Sequence, residues 1–190
     1  NNTYTNNGDF VAWNWKAGGA PTATNSAGAG NQPTADSVMI DGVSSTTALA
    51  GTIAATRISA NTAAGFSIVQ WTGDGNASAR VGHGISKPDM IITKSLTDSN
   101  DWNVNHVGIP NKILYLHSTN AAFSGGGTNG AFGYQSTNTS TTFGFTGGSS
   151  GVNNVNKLNS NYIAYCFHSV DGYSKIGSYT GNSSAANSPF

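Results

Sequence analysis

Glutamate is absent from these 190 residues, and charged side chains make up only 8% of them. With so few of the straight-chain residues that favour helices, a largely helical fold is excluded. The 8 lysines and arginines balance 8 aspartates and never cluster. Proteins that hold nucleic acid or an anionic membrane surface carry a basic footprint, which is missing here, so neither partner is expected. Cys166 is the only cysteine, which rules out an internal disulfide and a cysteine-based zinc site. No apolar run approaches the ~18 residues of a membrane helix, and no membrane insertion is expected. What the chain has instead is 25 glycines dispersed among many Asn, Ser and Thr. These are turn formers, and they point to an all-β chain.

The stretch from Gly65 to Lys94 carries the clearest pattern. Phe66 to Trp71 is rich in branched and aromatic residues, and Gly73-Asp74-Gly75 follows it. Two glycines there suit a tight hairpin turn, so the spacing predicts strand, turn, strand. On the return, Ala79, Val81, His83 and Ile85 share one face, which reads as core. Lys87-Pro88 stops that ladder, because proline has no amide hydrogen to donate, and Asp89 to Lys94 completes a predicted three-strand meander. Further strands are expected at Trp102 to His106, with Asn103 and Asn105 facing outward, at Lys112 to His117, at Asn161 to His168 and at Tyr173 to Tyr179. Short ones are expected around Phe132/Tyr134 and Phe143/Phe145. Asp9 to Lys16 also alternates as a strand would, with aromatics on both faces. Gly18 to Asn61 lacks period-two alternation and reads as a linker with an ordered second half, its Ala-rich piece Thr46 to Ala55 being a candidate short helix.

Two segments recur. DFVAWNWK from Asp9 matches NYIAYCFH from Asn161, and GFSIVQWTGDG from Gly65 returns as GYSKIGSYTGN from Gly172, with one extra residue before the Thr-Gly pair. Gly65 and Gly172 lie 107 positions apart, the length of one module. The organisation this implies is the end of a preceding β module over 1–17, a Gly/Ala/Thr-rich linker or arm over 18–61, an antiparallel β-sandwich module over 62–171, and the first strand of a following module over 172–190. The chain would then be a piece of a longer, tandemly built protein.

Those blocks, with VGHGISKPDMIITK, WNVNH, ILYLHSTNAA and GTIAATRISANTAAGFS between them, resemble a repeat family found in large virion structural proteins of marine bacteriophages. The resemblance covers nearly the whole chain. It implies a place in a virus particle, in a tail fibre or other appendage used in host attachment, and no catalytic residue comes with it. Partners would be other virion proteins and the chain itself, as a homo-oligomer for which fibres suggest a trimer, with unpaired terminal strands completed by an adjacent chain. A capsid decoration protein, tethered by the arm, is the alternative within that class.

Readings outside it rest on individual side chains. Trp71, Trp102, Tyr115 and Tyr134 stand beside Asn and Asp residues and are candidates for stacking on a host surface glycan, as in a lectin-like module, or for filling the core. Asp98 and Asp101 are the only carboxylates spaced for a glycosidase pair, and turn aspartates are the simpler account. His83, His106, His117 and His168 lie too far apart in sequence for a local ligand motif, and no metal or cofactor is expected. Cys166 takes the place of Asn14 in the repeat, so a packed thiol is expected rather than a nucleophile.

Overall fold

A computed structural model of the chain describes residues 12–26, 30–110, 112–124, 138–145, 154–180 and 182. Eleven strands are present among them and no α-helix. They are β1 (Val38–Ile40), β2 (Val43–Ser44), β3 (Arg57–Asn61), β4 (Phe66–Thr72), β5 (Arg80–Gly82), β6 (Met90–Ser95), β7 (Asn103–His106), β8 (Lys112–Tyr115), β9 (Phe123–Ser124), β10 (Thr142–Gly144) and β11 (Asn161–Phe167). The fold is all-β, as the composition requires. Nine strands form one sheet in the order β2-β1-β3-β4-β11-β6-β7-β8-β9, and β10 pairs with β5 in a second, two-stranded sheet. Every pairing is antiparallel except β1 with β3.

β11 sits at the centre. It runs in register with β4 from Asn161↔Thr72 to Phe167↔Phe66, and with β6 from Tyr162↔Ser95 to Phe167↔Met90. Directly opposed residues share a face of a sheet, so the registers sort the side chains into two surfaces. One surface carries Ile58, Val69, Ala164 and Thr93 in one row, and Trp71 with Tyr162 in another. All six are buried. Val81 of β5, Phe143 of β10, Phe145, Leu49 and Val155 pack against that surface and close the core. Its character changes across the sheet. Under β3 and β4 it is apolar apart from Ser67, whereas under β6 and β7 Ile91 is joined by Thr93, Ser95, Asn103 and Asn105, all buried.

Several expectations from sequence are corrected. The meander does not form: β4 lies between β3 and β11, and β5 leaves for β10. Gly73 serves close approach rather than a hairpin, while Gly75 supplies a left-handed φ of 73°. A Cβ on Gly73 would lie 2.2 Å from Lys157 O. The Gly73 amide donates to Ser160 O, and the Gly75 amide to Asn156 O. Asn103 and Asn105 face inward, where the Asn105 side-chain oxygen accepts from Asn138 Nδ2 at 3.2 Å. The second half of the supposed linker supplies β1, β2 and β3, and Val38, Leu49, Ala55, Ile58 and Ala60 from it belong to the core. Thr46 to Ala55 is irregular, broken by Gly51 at φ 106°.

Residues 12–16 are in no strand, and 9–11 lie outside the described residues. The arm is held instead by isolated bonds: Asn61 Nδ2 donates to Lys16 O, the Gly42 amide to Gly18 O, Ser59 Oγ to Gly19 O and Arg57 Nε to Thr24 Oγ1. Gly18 passes so close to β3 that a Cβ would meet Ala60 O at 1.8 Å. Tyr173 to Tyr179 forms no strand either, only a bridge between Val170 and Ser174.

Candidate interaction surface

The aromatic residues proposed from sequence as a glycan platform are dispersed by the fold. Trp71 is wholly buried, stacked on Tyr162 with centroids 5.3 Å apart at 17° and set edge-on to Phe143 at 5.4 Å. It is core and closed to a ligand, because strand alternation turns it to the covered face of β4. Trp102 and Tyr115 are both half-buried. Tyr115 is opposite Asn103 and shares its face, so Trp102, one residue away, points to the other. They cannot stack on one sugar. Tyr115 lies against His117 instead, with centroids 5.9 Å apart, and His117 Nε2 is 3.2 Å from Asp101 Oδ1. Tyr134, like the Phe132/Tyr134 strand expected beside it, lies outside the described residues.

The ionisable groups are occupied locally. The Asp98 carboxylate accepts from Lys157 Nζ at 2.7 Å and from Ser160 Oγ at 2.6 Å, bonds that hold it below the usual carboxylate range. It ties the β6–β7 loop to the turn before β11. Asp98→Asn is therefore expected to lower the thermal midpoint at neutral pH. Because a depressed carboxyl pKa contributes stability above that range and loses it as pH falls, the gap from wild type should close in acid, which melting curves at both pH values would check. Cys166 is fully buried next to Ser67 in the register, and burial pushes its thiol up to about 12, which leaves no thiolate for chemistry. His168 Nδ1 is bonded to Lys87 O and His106 Nδ1 accepts the Gly108 amide. Among the described residues no three His, Cys, Asp or Glu side chains gather as metal ligands would.

The other side of the sheet, crossed at Ser59 by the arm, is a different surface. Across it run Ser59, Ile68, Tyr165, Ile92, Val104 and Leu114, a row of directly opposed residues spanning six strands. At one end of this face Phe66 and Phe167 meet at 5.0 Å, and Trp15 of the arm lies over them at 6.0 and 5.4 Å. Trp15 keeps 54% of its surface exposed, Trp13 72% and Tyr173 67%. A cleft of about 360 Å³ opens there, lined by Asn14, Trp15 and Lys16 on one side and by Tyr173, Ser174 and Ile176 on the other, with Phe66, Phe167 and His168 at its base. Clustered exposed aromatics of this kind mark contact surfaces. Side-chain types alone did not single out this cleft. The signal that could have found it was the internal repeat, since both of its walls are second copies of strands in the sheet.

Comparison with known proteins gives one match. Residues 39–190 fit the model of a family described as a domain of unknown function (DUF7483). No curated protein and no solved structure matches the chain.

Proposed function

We propose that this chain, which belongs to that family of domains of unknown function, is a non-enzymatic structural module of a bacteriophage virion, part of a tail fibre or other appendage that takes part in host attachment. The observation that carries the reading is the fate of the repeated strands. β11 is the central strand of the nine-stranded sheet, and the described part of the segment that copies its pattern, residues 12–16, lies in no strand and has its tryptophans exposed. A chain carrying spare copies of its own central strands is suited to exchanging strands with a neighbouring chain, as an appendage assembled from several chains requires. The two aspartates a depolymerase would need are bound to Lys157, Ser160 and His117, which favours a scaffold over catalysis. Few charges and many amide and hydroxyl side chains give such an appendage a neutral, hydrated surface.

Immunogold electron microscopy of the intact particle, with antibody raised against this chain, tests the reading. Gold along fibres or tail appendages is the expected result. Gold spread over the shell would favour the capsid decoration alternative. Particles that carry no label and no peptides of this chain by mass spectrometry would end both. The lectin alternative is less favoured, since Trp71 is buried and Trp102 and Tyr115 face opposite ways.

A further inference from the structure

We infer that the Phe66–Phe167 end of the sheet is where two copies of this chain join, residues 12–15 of each pairing as a β ladder with residues 173–176 of the other. The sequence holds two sets of the strands that make the central pairing: β11 with its copy at 9–16, and the first half of β4 with its copy from Gly172. Only one set is used. β11 and β4 form a continuous antiparallel ladder, while in the second set the described residues lie in no strand. Ala12 to Trp15 make no backbone hydrogen bond among the described residues, and in the tail, where the Tyr173 and Ser174 amides donate to Val170 O and the Ile176 amide to Ser169 Oγ, the Lys175 and Gly177 amides stay unbonded along the other edge. Strand-patterned backbone with open amides is the substrate of β-augmentation.

The register of β4 and β11, carried onto the copies, produces matched pairs. Phe66 opposite Phe167 becomes Tyr173 opposite Trp15, and Ser67 opposite Cys166 becomes Ser174 opposite Asn14. Ile68 opposite Tyr165 becomes Lys175 opposite Trp13, where an ammonium can lie against an indole face. Val69 opposite Ala164 becomes Ile176 opposite Ala12. The partner is a second copy because the two segments within one chain already line a common cleft without laddering. The arm is tethered at Lys16 to Gly19 and the tail by the Val170–Ser174 bridge. Since both segments sit at the same end of the molecule, a two-fold arrangement satisfies both ladders at once and closes as a dimer rather than running on as a filament. This stands apart from the virion reading, because such a dimer forms in solution wherever the chain comes from.

Disulfide trapping between two differently tagged chains tests it. Opposed residues in an antiparallel ladder have Cα atoms ~4.5–5.5 Å apart, within reach of a disulfide. The native Cys166 is buried and does not compete. Asn14→Cys in one chain mixed with Ser174→Cys in the other should give a doubly tagged dimer on mild oxidation. Asn14→Cys with Lys175→Cys, whose side chain falls on the opposite face, should give about tenfold less. Light scattering of the unmodified chain should show twice the 19.4 kDa monomer mass, and Trp15→Ser combined with Tyr173→Ser should weaken the dimer by tenfold or more, roughly the effect of losing a contact hot spot. A chain that stays monomeric at ~100 μM, a concentration at which even weak specific dimers form, overturns the proposal. So does trapping that is equally efficient in both cysteine pairs.

Discussion

Trp71→Ala should cost about 3–5 kcal/mol, the range for deleting a large buried aromatic, and so lower the melting temperature by roughly 10–15 °C in a chain of this size. The side chain is wholly buried on the covered face of β4, stacked on Tyr162 and in contact with Phe143 at 5.4 Å and Phe145 at 5.7 Å. Those last two rings come from β10 and the residue after it, so the indole joins the large sheet to the small one. Removing it opens a cavity that neither layer can fill without breaking its own ladder. Trp71→Phe should cost clearly less, because it keeps one ring and removes an indole N–H that finds no acceptor among the described residues. Chemical denaturation of both variants checks the order. A Trp71→Ala protein as stable as wild type would mean that the two sheets are not held together through this cluster. Trp102→Ala, at a half-exposed position, serves as the contrast and should leave the fold intact.

The same residue shows what period-two alternation can and cannot reveal. Phe66, Val69 and Trp71 could be read as strand and mostly core because burial follows local pattern, and β6 and β11 were legible for the same reason. Pairing is not local. β4 finds its neighbour 89 residues away in Asn161↔Thr72, and nothing in GFSIVQWTGDG distinguishes a glycine that turns a hairpin from one that, like Gly73, lets Lys157 approach. Asn103 and Asn105 were misassigned to the outside because amides usually are outside. Inside, Asn105 is matched by Asn138, a residue too distant in sequence to be anticipated. β1 and β3 were hidden in a linker-like composition, since Val38 to Ile40 is too short to alternate visibly and Ala, Ser and Asn dilute Arg57 to Asn61. For the interaction surface the position is reversed. The copies of β4 and β11 were visible in the sequence, but that residues 12–16 and 173–179 join no strand, leaving Trp13, Trp15 and Tyr173 exposed, could only be seen in three dimensions.

Acidification should weaken the fold through His83 before it reaches the carboxylates. The ring is fully buried, its Nδ1 accepts the Ile85 amide and its Nε2 lies 3.3 Å from Thr139 O, so it is held as the neutral Nε2–H tautomer. Small and apolar residues, Gly82, Gly84, Val38, Leu49 and Ile58 among them, line the cleft beside it and offer an imidazolium no counter-charge. Burial lowers its pKa from 6.5 to about 4. In the unfolded chain the imidazole takes its proton near pH 6.5, while the folded chain refuses it until about pH 4, so the unfolded state binds more protons between those values. Stability is therefore full above pH 6.5, falls at ~1.4 kcal/mol per unit as the pH drops, and levels off near pH 4 after a loss of about 3 kcal/mol. Asp41 and Asp98, both held below the usual carboxylate value of 3.8 by hydrogen bonds, lose their contributions only at lower pH. Urea midpoints at pH 7.5, 5.5 and 4.5 should trace this slope in wild type, and His83→Gln, whatever its own cost at neutral pH, should flatten it. A variant with the wild-type slope would move the acid sensitivity to another group and leave His83 as packing alone.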